Sequence, residues 1–183
     1  MTSMSVFAGQ SLIWVKRLKF WDLIASDNSV IATFPVERSG GGVGVPGRRW
    51  KKTKAIVPDG TGTLFLHEEG QRPNWHIAIY ADEQGPPLAI YEEPWLVFPD
   101  GRRLIWGRID FFSAMRELRR YGTMSYGAGG WADTTGPTTY VEIRDGMRKK
   151  RVIIYPRAAE IRDPELSLLV VLGLYNSKYS EVL

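Results

Sequence analysis

Two short runs gather the side chains that hold anions. Arg48, Arg49, Lys51, Lys52 and Lys54 surround Trp50, and Arg148, Lys149, Lys150 and Arg151 form a second block, with no acid inside either run. On a strand, side chains alternate between faces, so Arg49, Lys51 and Thr53 would face one way and Arg48, Trp50, Lys52 and Lys54 the other. A ring among cations suits phosphates. Anionic lipid headgroups attract such clusters at about 1 kcal/mol per basic residue, and single-stranded nucleic acid would use the same cations with Trp50 as a stacking platform. The net charge of only +4 makes nucleic acid the weaker candidate. The purely structural alternative is an edge strand whose Lys and Arg block pairing with another sheet.

Catalytic chemistry finds little support. Cys is absent, which removes disulfides, thiolate zinc sites, iron-sulfur clusters and cysteine nucleophiles. A metal site would need carboxylates such as Glu68 or Glu69 beside His67 or His76, a grouping better read as a solvated strand end. Glu92-Glu93 ahead of Pro94 has no identifiable acid/base partner, and Ser113 and Ser125 lack any nucleophile-elbow context. The glycine-rich stretch from Gly40 to Arg48 lacks the Gly-Lys-Ser/Thr ending of a phosphate loop and precedes a strand-like segment, not a helix. No catalytic residue, metal or cofactor is expected.

The elements that must position the basic runs follow from the composition of 183 residues, 44% hydrophobic, with seven Trp, eight Tyr and seven Phe. That is the profile of one soluble domain spanning 1–183, and the aromatic content favours strands. Lys16, Arg17 and Lys19 interrupt the first apolar stretch, so no export signal is read. The longest apolar run, Leu166 to Tyr175, is too short to span a bilayer, which takes about 20 residues. These readings place the protein in the cytoplasm, peripheral at a membrane if it meets one; the oligomeric state is left open.

Turn signals recur between apolar stretches: Asp27-Asn28-Ser29, Pro58-Asp59-Gly60, Asp82 to Pro87, Pro99-Asp100-Gly101 and Asp145-Gly146. Asp and Asn bond the turn backbone and Gly accepts the positive φ of tight hairpins. The flanking strands are Lys19 to Ala25 with Val30 to Val36, Arg49 to Val57 with Thr63 to His67, and His76 to Ala81 with Leu88 to Tyr91. Trp95 to Phe98 with Arg103 to Ile109, and Thr138 to Ile143 with Arg151 to Tyr155, bring the number to ten, extendable to twelve. Leu12 to Ile24 reads as strand because Phe20 and Leu23 fall off the helical face that Trp14, Leu18 and Trp21 would share. Ser39 to Gly47 and Gly122 to Gly136 read as flexible loops.

Two helices are expected. Asp110 caps a segment whose Phe111, Phe112, Met115 and Leu118 line one face, ending before Gly122. In the second, Asp163 suits the N-cap, Pro164 the first helical position, and Glu165 the positive end of the helix dipole. Beyond them Leu166, Leu168, Leu169, Val170, Val171, Leu172, Leu174 and Tyr175 point in every direction around the axis. Burial stabilises each by about 1.5–3 kcal/mol, so leaving a side of this helix wet is costly and it must be surrounded. The enclosing wall available is the chain's own sheet. A mainly β fold follows: a closed antiparallel barrel of roughly 10–12 strands around a hydrophobic C-terminal helix.

Successive strand-Asp-Gly-strand hairpins followed by Asp163-Pro164-Glu165-Leu166-Ser167-Leu168-Leu169-Val170-Val171-Leu172 resemble the tubby C-terminal-like superfamily, which includes LURP-one-related proteins and phospholipid scramblases. The resemblance covers approximately Ser11 to Asn176. It implies a twelve-stranded barrel around a central helix and, in its tubby branch, phosphoinositide binding through surface Lys and Arg. No residue-by-residue match to that basic site or to a scramblase calcium segment is present. The expected function is a non-enzymatic binding or scaffold module that associates with anionic membrane lipids through the two basic runs. The competing expectation is a small-ligand-binding barrel, or an enzyme, with its site at the barrel mouth.

Overall fold

The computed structural model describes residues 4–35, 52–57, 62–69, 76–108, 129–134, 139–144 and 149–179, with the backbone alone for 35, 52–57, 62, 69, 108, 163, 178 and 179. Among these residues the alternation of apolar and polar side chains resolves into twelve strands. They are β1 (Ser11–Lys16), β2 (Phe20–Ile24), β3 (Val30–Pro35), β4 (Lys52–Val57), β5 (Gly62–Glu69) and β6 (His76–Tyr80), then β7 (Ala89–Glu92), β8 (Trp95–Val97), β9 (Arg103–Arg108), β10 (Gly129–Asp133), β11 (Thr139–Arg144) and β12 (Lys149–Ile154). A 3-10 turn at Met4–Phe7 precedes them, a second at Pro156–Glu160 follows, and helix α1 spans Asp163–Tyr179. Paired strands run antiparallel in the cyclic order β1-β12-β11-β10-β9-β8-β7-β6-β5-β4-β3-β2, with β1 hydrogen-bonded to both β2 and β12. The register of β3 with β4 is marked by the pair Thr33↔Ile56. A strand-rich chain with one large antiparallel sheet and a C-terminal helix is therefore the observed class, as the sequence leads one to expect.

The turns between β2 and β3 and between β8 and β9 obey the expected chemistry. Asn28 takes a φ of 66° and Gly101 one of 83°, the left-handed region that Gly and Asn adopt most readily. Asp27 Oδ1 accepts from the Ser29 amide at 2.9 Å, and Asp100 Oδ1 from the Arg102 amide at 3.0 Å. The expected helix Asp110 to Gly122 and loop Ser39 to Gly47 lie outside the described residues.

One loop expectation is corrected. Part of the Gly122 to Gly136 stretch is strand β10, where Gly129 and Gly130 mark close approach and not slack. A Cβ on Gly129 would stand 2.5 Å from Cζ2 of Trp106, and one on Gly130 2.9 Å from the Val141 carbonyl oxygen. Glycine here lets β9, β10 and β11 pack closely while Trp106 of β9 and Trp131 of β10 enter the core. Trp131 is completely buried; it meets Trp106 edge-on at 5.1 Å and Tyr91 at 5.7 Å, and its Nε1 donates to the Leu169 carbonyl of α1 at 2.9 Å.

Helix α1 begins at Asp163, the expected cap residue, so the cap falls one residue earlier, at Arg162. The Arg162 carbonyl accepts the first helical bond, from the Leu166 amide at 3.0 Å, so Pro164 falls within the first turn, where its missing N–H costs nothing. From Leu166 to Leu174 every side chain is buried around the full circumference of the helix, and Tyr175 is 5% exposed. Strands β9, β10 and β11 contribute Trp106, Trp131 and Ile143 to its surroundings, and Tyr175 donates to Glu68 of β5. The interior is filled by side chains, as the apolar run requires.

Candidate functional site

Register decides which basic residues meet. Val15 stands opposite Lys149, Lys16 opposite Trp21, and Phe20 opposite Pro35. The pairs Thr33↔Ile56 and Lys52↔His67 put the start of β4 toward the same edge. The turn between β1 and β2 and the starts of β4 and β12 therefore gather at one end of the sheet, with β1, β2 and β3 between the two basic strands. Glu92 and Glu93, both exposed, stand at this end too, on the β7–β8 turn across the cyclic order. The end is thus basic on one side and acidic on the other.

Within β12 the pleat sorts the expected binding residues. Lys149 and Arg151 are exposed, whereas Lys150 is 3% exposed. Lys150 shares the inward face with Val152 and Ile154, opposite the buried Trp14, and its Nζ lies 5.8 Å from the centroid of the Trp21 ring. It belongs to the interior, where the ring's negative face receives the cation, and not to a basic surface. Lys52 and Lys54 lie in β4. Arg48, Arg49, Trp50, Lys51 and Arg148 fall outside the described residues.

The outer face of β11, β12, β1 and β2 holds two acids, both engaged. Asp22 accepts from Arg17 Nε at 3.3 Å and from the Thr33 hydroxyl at 3.2 Å. Glu142 accepts from Arg144 Nε at 2.7 Å and from the Tyr155 hydroxyl at 2.6 Å. Burial, then the bond to Glu142, pushes the Tyr155 phenol up to about 12. With these acids occupied, Lys149 and Arg151 define the sign of the face.

The opposite end carries a cavity of about 350 Å³ lined by Phe98, Arg102, Leu104, Tyr140, Ile161 and Glu165, among others. Glu165, 4% exposed, accepts through Oε1 from Arg102 Nη2 at 2.7 Å and from Arg162 Nε at 2.8 Å. This places an anion at the helix N-terminus, where the dipole favours it. His76, Glu92 and Glu93 start or flank strands at the other end and do not line this cavity. Among the described residues no three His, Cys, Asp or Glu converge as a metal site, and no helix is long and apolar enough to cross a membrane.

Sequence reasoning passed over the tip between β1 and β2, where Leu18 is 88% exposed between Arg17 and Lys19. The available signal was an apolar residue at a tight turn that otherwise calls for Asn, Asp or Gly. Comparison of the chain with protein-family models, curated proteins and solved structures finds no match.

Proposed function

We propose that this chain is a non-enzymatic binding module of the tubby-like kind, and that it associates peripherally with anionic lipid headgroups through the basic side of one sheet end. The cyclic order of strand pairing and the buried helix support reading the sheet as a closed barrel around α1. The observation that carries the functional reading is the gathering of the two basic strand starts at one end, with Lys149 and Arg151 exposed beside acids that are already engaged. An anionic surface draws such a cluster by about 1 kcal/mol per basic residue.

Sedimentation with phosphatidylcholine vesicles, with and without phosphatidylserine or phosphoinositide, tests it. Association is expected only with anionic vesicles, and Lys149→Glu combined with Arg151→Glu lowers it at least about tenfold. Equal association with both vesicle types, or with neither, refutes the proposal. The small-ligand reading draws on the cavity at the opposite end, but its acid/base candidates His76, Glu92 and Glu93 are absent from that lining, so the membrane reading is preferred.

A further inference from the structure

The turn joining β1 to β2 departs from the chemistry of its neighbours. Arg17 N–H donates to the Phe20 carbonyl at 2.8 Å, closing a two-residue tip of Leu18 and Lys19. The described turns between β2 and β3 and between β8 and β9 carry Asp27-Asn28 and Asp100-Gly101, residues that the backbone geometry asks for. Leu18 serves no such need. It is the most exposed of the large hydrophobic side chains described, at 88%, and Phe20 beside it is 39% exposed.

The tip continues into a face of mixed character. Paired residues point the same way, so Ile13 with Arg151 and Val15 with Lys149 line the outer side of β1 and β12. Ile13 is 39% exposed, and Lys16, Arg17 and Lys19 are exposed around the tip. Arg17 reaches back to Asp22 at 3.3 Å, which leaves Lys16, Lys19, Lys149 and Arg151 to set the charge. An apolar point ringed by cations matches one surface in both respects. Headgroup phosphates meet the lysines while the hydrocarbon boundary just below accepts leucine and phenylalanine. Nucleic acid or an acidic peptide would satisfy the cations and leave Leu18 in water.

We propose that the β1–β2 tip enters an anionic bilayer, with Leu18 leading into the acyl-headgroup boundary, Phe20 behind it, and Lys16, Lys19, Lys149 and Arg151 on phosphates. This rests on the membrane reading above and adds the depth and orientation of docking. The absence of Cys makes the test clean: Leu18→Cys and Gln84→Cys, the latter in the β6–β7 turn at the opposite end, each carry one environment-sensitive dye. On phosphatidylcholine–phosphatidylserine vesicles the dye at 18 shifts to the blue, brightens several-fold and is quenched by an acyl-chain nitroxide. The dye at 84 keeps its aqueous spectrum. Leu18→Ser in the unlabelled chain lowers vesicle association about tenfold, consistent with loss of a leucine's burial, and leaves thermal unfolding unchanged because the residue is exposed.

Co-sedimentation of the protein with a water-like dye at 18 overturns tip insertion while the membrane reading stands. Absence of co-sedimentation overturns both. Equal dye responses at 18 and 84 overturn the orientation, and concentration-dependent self-association abolished by Leu18→Ser assigns the tip to a second copy of the chain and overturns the proposal.

Discussion

Tyr155 shows how one side chain couples the outer face to pH. Its hydroxyl donates to Glu142 while burial disfavours the phenolate, so the phenol ionises near 12 in the fold against an ordinary value of 10.0. The folded state then holds its proton more tightly than the unfolded state. Stability from this group is complete below the ordinary phenol value and is lost as pH rises from there through about 12. Tyr155→Phe is expected to cost about 1 kcal/mol at neutral pH and to flatten the alkaline decline, read from urea unfolding at neutral pH and about pH 11. Lys149, Lys150 and Arg151 make a related point about legibility. The sequence presents them as one basic block, yet a period of two already sets Lys150 with Val152 and Ile154, and that alternation separates the exposed pair from the buried lysine.

The strands were legible where turn chemistry and apolar runs agreed, as at Asp27-Asn28 between β2 and β3 or Asp100-Gly101 between β8 and β9. Strand β10 was not, because Gly129 and Gly130 signal loop by composition, and their real cause, the approach of Trp106 and of the Val141 carbonyl, is tertiary. Gly129→Ala tests that cause. The added methyl meets the six-membered ring of Trp106, itself packed on Trp131. A loss of about 1–3 kcal/mol is expected from such overpacking, with a change in the near-ultraviolet circular dichroism of the tryptophans. A flexible loop at this position would give neither. The β1–β2 tip was hidden for the opposite reason: as strand-forming sequence Leu18 looks ordinary, and only its exposure at a turn sets it apart.

At the level of the molecule, α1 is the feature that organises everything else. Its all-round apolar composition was readable, and the requirement for complete burial followed from it; which strands surround it was not, since that depends on register between distant segments. One continuous apolar cluster joins Leu12, Trp14 and Leu23 to Leu64, Trp131 and the helix, so damage at its centre should be felt throughout. Leu169→Ala, at a completely buried position, is expected to cost about 2–5 kcal/mol. It should shift far-ultraviolet dichroism and tryptophan fluorescence together in one transition. The basic side of the sheet depends on the same packing, because Leu12 and Trp14 of β1 and Val152 and Ile154 of β12 belong to this cluster. The helix also follows all twelve described strands in chain order, which has a consequence during synthesis. While the ribosome is still adding residues before Asp163, the apolar faces of the emerging strands lack the helix that packs against them in the fold, so the core is expected to complete its packing only once α1 has left the exit tunnel.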